Sequence, residues 1–427
     1  MFRQRAWLMF VLLVFVISLA ACAGGAPASP PAGAPVAGEK MVTIGYTSSL
    51  TGKLNVESTR QTNGLNLWME QVNAAGGITL ADGSVVKFQS KFYDDESSGD
   101  RVQELYTRLA TEDNADFLIS PYSSGLTASA SVIAEQYQKP MITTGAASDS
   151  NYTQGYTLVY QAYTPASKYL TGAADMIVAA KPDLKKIAIV HENDKFSTDV
   201  ATALQSYAED KGLEIVLFEG YDSGTTDFAP IINKVQQAAP EAVLGGGHFQ
   251  DGSTFARQLA EKGVPLEFLV LLVAPPEPSF AELGDAALGV SGPSQWEPQA
   301  AFTAESAAGV SFYGLSGADF TAAYEAAFNE EPSYHAAGGY VAGLILQAAI
   351  EQAGAVDPQA VKRALDALDM MTFFGHIKFD TTPAAHGLQI GHEMVYVQWQ
   401  KDETGALVKQ IVWPEEGKTT DVVTPVR

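Results

Sequence analysis

Between Met41 and Val273 the sequence returns repeatedly to one pattern: a short apolar run, a turn rich in Gly or Ser, then an amphipathic stretch of helical period. "MVTIGYTSSLTG" leads into "ESTRQTNGLNLWMEQVNAAGGI", where Leu65, Trp68, Met69 and Val72 recur at helical spacing before Gly76-Gly77. "VVKFQSKFYDD" leads into "RVQELYTRLATED", and "ADFLIS" passes through "PYSSG" into "LTASASVIAEQYQK" and on to "PMITTG". "KIAIVHEN", "LEIVLFEGY", "PEAVLGGGH" and "EFLVLLV" continue the series, with helical stretches between them. Strand, crossover helix and strand joined by short connections predict an α/β fold of parallel sheets covered by helices on both faces. Two such sheets are expected, the first from about Met41 to Tyr160 and the second from about Lys186 to Leu288. The tail adds helices at "GADFTAAYEAAFNEE" and "YVAGLILQAAIEQAG" and a strand at "MVYVQWQ". It is expected to revisit the first half of the molecule and then the second.

Open parallel sheets bind ligands beyond the carboxyl ends of their strands, where loops enter helix N-termini. The loops in question are "TSSLTG", "SPYSSGLT", "TTGAASDS", "HENDKFS" and "GGGHFQDGS", rich in small and hydroxyl residues and poor in cations. Ser123, Ser124 and Gly125, following Tyr122 and opening the helix at Leu126, offer free backbone N–H groups suited to a carboxylate. The same residues also read as an ordinary helix cap. Enzyme motifs fare poorly. Ser84-Val85-Val86-Lys87 lies in an alternating strand, which scatters a serine and a lysine that one helix face would have to share. His191-Glu192 and His392-Glu393 lack the second histidine of a zinc helix. Asp94 to Gly99 reads as a solvated turn, because Leu105 stands where a calcium loop needs its bidentate glutamate. The chain is therefore expected to be no enzyme and to hold no metal and no cofactor.

At the N-terminus, Arg3 and Arg5 precede an apolar run from Ala6 to Ala21, of signal-peptide length. Leu19-Ala20-Ala21-Cys22 resembles a bacterial lipobox, which implies cleavage before Cys22 and a lipid on the chain's single cysteine. Residues 1–21 are then a leader, and residues 22–40, with their Ala, Gly and Pro, a flexible tether. The expected location is extracytoplasmic, anchored to the membrane by lipid. Cleavage leaves 24 bases against 49 acids, so the formal charge moves from −23 to −25. That balance repels phosphate backbones and excludes nucleic acid as a partner.

The motifs in order, "TIGYTSSLTG", "GLNLWMEQVNAAGGI", "YDDESS", "ISPYSSGLTAS", "MITTGAASDS", "IAIVHENDKFSTDV" and "TDFAPIINKVQQAAPEAVLGGGH", resemble the type I periplasmic binding proteins. Within them they are most similar to the branched-chain amino-acid-binding group that serves ABC importers. The resemblance implies two Rossmann-like lobes with parallel central sheets, residues 41–161 plus 292–380 and residues 162–291 plus 381–427, joined by three hinge crossings. The crossings are expected near Gln161–Thr164, Val290–Gly292 and Phe379–Thr382. Carried over by position, the carboxylate site falls on Ser124 and Gly125, with small or hydroxyl contacts from Ala146, Ala147 and Ser148. The aromatic lid becomes Phe196, and a second aromatic position becomes His248. The acid that would hold an α-ammonium has no aligned counterpart, since that position, near Leu272, is apolar. Glu277, Glu57 and Glu297 beside Trp296 are the candidates, and His335 and Trp296 suggest room for an aromatic or branched body. The function implied is capture of an amino acid or related small carboxylate by a monomer that delivers it to an ABC permease and ATPase complex. A ligand-sensing receptor of the same fold is the alternative.

Overall fold

The first apolar run forms β1 (Glu39–Ser48), in which Val42, Ile44 and Tyr46 are buried, and α1 (Asn55–Ala74) follows it. The computed structural model describes residues 38–426 except 301, 304 and 308, so the leader, Cys22 and nearly all of the tether lie outside the described residues. After α1 come β2 (Ile78–Thr79), β3 (Val85–Asp94), α2 (Gly99–Thr111), β4 (Phe117–Ile119), α3 (Ser124–Gln136), β5 (Met141–Thr143) and β6 (Val159–Gln161). These strands make one sheet in the order β2-β3-β1-β4-β5-β6, parallel throughout except for β2 against β3.

The chain then builds α4 (Thr171–Ala180), β7 (Lys186–Glu192), α5 (Lys195–Asp210), β8 (Glu214–Tyr221), α6 (Ala229–Ala238), β9 (Ala242–Gly246), α7 (Phe249–Glu261), β10 (Phe268–Leu271) and β11 (Val290–Ser294). Ile187 to Val190 of β7 are fully buried, as a strand covered by helices on both faces requires. The tail supplies β12 (Ser311–Phe312), α8 (Gly317–Phe328), α9 (Tyr334–Ala353), α10 (Pro358–Asp366), β13 (Asp369–Thr372) and β14 (Gly375–Lys378). β12, β13 and β14 form a small sheet of their own, which the strand pattern did not predict. β15 (Val395–Lys401) and β16 (Leu407–Trp413) then extend the second sheet, in the order β16-β15-β11-β10-β9-β7-β8. Among the described residues no helix is long and apolar enough to cross a membrane.

Two expected crossing points move. β11 pairs with β15 through Ser294, so the chain stays in the second sheet past Gly292. After β14, the Gly387 carbonyl accepts from the Gln161 backbone N–H at 2.8 Å, and the Gln389 N–H bonds the Gln161 side chain at 3.1 Å. Residues 381–390 therefore pack on the first sheet's edge, and the return to the second sheet comes at residues 391–394. One reading of a turn is also corrected: Asp95 is buried rather than solvated, and it accepts the hydroxyls of Thr47 and Ser49 at 2.7 and 2.6 Å.

The contact that positions the site is the crossing of α1 and α9. A Cβ placed on Gly64 would lie 1.8 Å from the Ala336 carbonyl oxygen, and one on Gly339 would lie 1.9 Å from that of Gln61. The backbones touch, and the same turns carry Arg60 and His335. Gly339→Ala is expected to force the helices apart and to cost about 1–3 kcal/mol of stability. Urea denaturation measures it; an unchanged midpoint would contradict this backbone contact.

Candidate functional site

The carboxyl ends of both sheets face one narrow cavity with about 10 Å³ open to the centre of a water molecule, room for little more than a single water and far below the usual size of a small-molecule site. Tyr122 follows β4, while Gly145 and Ala147 follow β5. From the second sheet come Phe196 after β7, His248 after β9 and Val273 after β10. Tyr163 and Tyr169 lie on the segment that leaves β6, and Tyr334 and His335 open α9. Every one of these positions is a strand end or a helix start, where loops are free to carry side chains inward. Gly145 has φ +68°, and a Cβ there would meet the Tyr122 ring at 2.3 Å, so only glycine lets this loop close on that ring. Val273 holds φ +56°, unusual for a β-branched residue and a local strain of about 1–3 kcal/mol.

His248 is the electrostatic centre of the second sheet's wall. Its Nδ1 pairs with the Tyr122 hydroxyl at 2.9 Å and its Nε2 with Asp194 Oδ2 at 2.9 Å. Burial alone would lower its pKa, but the hydrogen bond and charge of Asp194, with Glu192 and Glu57 nearby, hold it up at about 9. Burial opposes the ionised form of Asp194 as well, and His248 with the Ser197 N–H nevertheless keeps that carboxyl down near 2. Burial and then Glu192 push Asp251 up to about 6, although the His248 N–H donates to it at 2.8 Å.

Three further polar contacts join elements of the first sheet to elements of the second. Lys53 pairs with Glu192. Glu57 Oε1 accepts the Phe249 N–H at 2.9 Å, leaving the buried Oε2 without a partner among the described residues. Arg60 pairs with Glu277, whose other carboxylate oxygen takes His335 Nδ1. Burial would raise the Glu277 carboxyl, yet Arg60 and His335 hold it near 2. Arg60 also reaches Ser279 at 2.9 Å and Glu330 at 3.3 Å.

The structure thus brings Tyr122, Ala147, Phe196, His248 and His335 together. Others stand close by without lining the cavity. Ser124 Oγ accepts the Ala147 and Ser148 N–H groups at 3.0 and 3.1 Å, so this hydroxyl organises the neighbouring loop. Ser123 is the N-cap residue of α3, and Gly125 beside it is exposed, with nothing within 4 Å of an added Cβ. The Ala146 carbonyl accepts the Tyr152 hydroxyl at 3.0 Å, and the buried Ser148 Oγ has no partner among the described residues. Trp296 and Glu297 belong elsewhere. Trp296 packs edge-on against Phe320 and Phe373 in the first sheet's core, where a large apolar ring loses most contact with water. Glu297 is buried against Lys409 at 2.8 Å. Glu277, weighed as an ammonium holder, has both oxygens already engaged, one by Arg60 and one by His335 Nδ1. Sequence reasoning missed Tyr163, Tyr169 and Tyr334. Their signal was the density of tyrosine in "QAYTPASKY" and "PSYHAAGGY", next to the expected crossings.

A sequence model of the family described as "Periplasmic binding protein" matches residues 41–404. The leucine-, isoleucine-, valine-, threonine- and alanine-binding protein of Pseudomonas aeruginosa is 25% identical over 372 residues, covering 86% of this chain and 92% of that one. Among solved structures, the substrate-binding protein LivJ of Streptococcus pneumoniae, in complex with isoleucine, superposes with a TM-score of 0.71. It is 22% identical, over 88% of this chain and 100% of that one. An ABC-transporter solute-binding protein of R. palustris in complex with benzoate gives a TM-score of 0.71 at 19% identity, over 87% and 95% of the two chains. At these identities the solved structures establish a shared fold.

The His248 cluster predicts how stability depends on pH. The folded-state value near 9 lies above the ordinary 6.5, so the imidazolium's contribution is complete below about pH 6.5 and is lost as pH rises through about 9. Asp194 titrates near 2 and Asp251 near 6, outside that window. The unfolding free energy from urea denaturation is expected to fall across pH 6.5–9.5 by up to roughly 3 kcal/mol, and His248→Gln should flatten that slope. A variant with the wild-type slope would assign the titration to another group.

Proposed function

The chain belongs to the periplasmic binding protein family, and from that premise we propose that it is the extracytoplasmic substrate-binding lipoprotein of an ABC importer. It captures a small carboxylate with an aromatic or branched body, either an amino acid or a related aromatic acid, and delivers it to the permease. The observation that carries this reading is the narrow cavity at the facing carboxyl ends of both sheets, walled by residues from each. Tyr122, Tyr163, Tyr169, Tyr334 and Phe196 favour a flat or bulky apolar body. Relatives and fold neighbours that bind aliphatic amino acids and benzoate span the same range of bodies.

The lobes we assign are the first sheet with the small β12–β14 sheet, and the second sheet with β15 and β16. Closure about the segments between them traps ligand, and the Lys53–Glu192 and Arg60–Glu277 pairs form as the lobes meet. A lipid on Cys22 with residues 23–38 as tether keeps the loaded protein, as a monomer, near its transporter, raising the effective concentration of the encounter.

Thermal-shift screening against branched and aromatic amino acids, short aliphatic acids and benzoates should show stabilisation by at least one class, saturating with concentration. Phe196→Ala should weaken that ligand by about tenfold or more, the cost of removing a buried aromatic wall. Silence across all of these acids would refute the reading. Intact-mass analysis of the native protein should find a lipidated Cys22 at the mature N-terminus, and Cys22→Ser should release the protein from the membrane.

A further inference from the structure

His248 also borders a second cavity, with about 150 Å³ open to the centre of a water molecule. Lys53, Glu192 and Asp251 line it beside Thr225, Thr226 and Thr254. Among the described residues, Glu192, Asp194 and His248 each bring one donor atom within 4.8 Å of the other two. His248 Nε2 lies 2.9 Å from Asp194 Oδ2 and 3.8 Å from Glu192 Oε2. Glu192 is 1% exposed, and its Oε2 has no hydrogen-bond partner among the described residues. The other oxygen, Oε1, takes Lys53 and the Ser223 hydroxyl. Oε2 thus faces the imidazole from beyond hydrogen-bond reach.

The carboxyl groups of Glu57, Glu192, Asp194 and Asp251 crowd this corner against the cations Lys53 and His248. The corner is short of positive charge, and burial makes that shortage costly. Asp251 registers it: burial and then the Glu192 charge push its carboxyl up to about 6. The donors are also held from behind. Asp194 caps α5, its Oδ1 accepting the Ser197 N–H at 2.7 Å, which leaves Oδ2 to the cluster. His248 caps α7, and its Nδ1 meets the Tyr122 hydroxyl at 2.9 Å. With Nδ1–H donating to that hydroxyl, the Nε2 lone pair is aimed at the two carboxylate oxygens. A metal-binding imidazole is held by an outer partner in the same way.

We propose that Glu192 Oε2, Asp194 Oδ2 and His248 Nε2 bind a divalent transition cation of the zinc class, with the threonine-lined cavity on its open side. One imidazole and two carboxylates suit Zn²⁺, and a tetrahedral ion keeps its fourth position for water. Ca²⁺ takes about six to eight oxygens, and a ring nitrogen with two carboxylates serves it poorly. Entry exchanges the proton on Nε2 for the ion, a net gain of one positive charge where the corner lacks it. No local motif announces the site, since the histidine lies 54 residues beyond Asp194. β7 and β9 are neighbours in the second sheet, so the loops that follow them emerge side by side.

The test is calorimetric titration of the full chain, stripped of metal by a chelator, with ZnCl₂ and with CaCl₂. Zn²⁺ should saturate a single site per chain, in the wild type and in His376→Gln alike. That variant removes the surface His376–Asp369 pair as an alternative site. Ca²⁺ should bind at least about tenfold more weakly. Glu192→Gln and Asp194→Asn should each weaken Zn²⁺ by about tenfold or more. X-ray absorption of the zinc-loaded His376→Gln chain should show one imidazole and carboxylate oxygens around the ion, and it decides the matter if either ligand variant fails to fold. Absence of saturation, a zinc environment without imidazole, Ca²⁺ binding as tight as Zn²⁺, or an affinity lost with His376→Gln but kept in Glu192→Gln would overturn the inference. No organic acid enters these measurements, so each of those outcomes leaves ligand capture standing.

Discussion

A buried charge is tolerable only beside its opposite, and that constraint governs how the two sheets of this molecule meet. Arg60 and Lys53 project from the first sheet's helix α1 and the loop before it, whereas Glu277 and Glu192 follow strands of the second. Desolvating any one of them alone costs several kcal/mol. In contact, the charges offset part of that penalty, so the pairs add little net stability, while removing one partner of either would leave the other buried and uncompensated.

Within each half the logic is the reverse. The α1–α9 crossing is backbone against backbone, with glycines where any side chain would collide. Such a joint has no soft side chains to yield, so Arg60 on one helix and His335 on the other keep a fixed separation. Rigidity there holds the His335 ring against Glu277. The strained Val273 sits on the opposite wall, directly after β10, where the surrounding loop holds a conformation the residue would not choose.

What could be read from the sequence divides along the same line. The strand and helix alternation was legible because each unit is local: "KIAIV" is apolar throughout since both its faces are covered. The loops at the carboxyl ends of the strands were legible too, because short Gly- and Ser-rich connections follow each apolar run. Glu297 beside Trp296 was weighed for the cleft because a carboxylate next to an aromatic face suits a cation, but the indole packs against Phe320 and Phe373 in the core. The crossings slipped by a few residues because strand pairing, which no local pattern encodes, continues to Ser294 and the edge contact to Gln389. Arg60 was invisible for a stronger reason. Its partner Glu277 lies 217 residues away, and only the closed fold makes them neighbours.

Three of the residues that sequence reasoning overlooked are tyrosines, and their placement explains why the cavity is tight. A tyrosine wall contributes area without rotamer freedom to lose, so little ordering cost falls on the ligand. The Tyr122 hydroxyl is spent on His248, and that of Tyr163 reaches the Tyr334 carbonyl at 3.3 Å. With those polar tips satisfied inside the protein, the rings present mainly apolar surface to the cavity. Apolar contact of this kind separates close homologues only weakly, because a methylene is worth little.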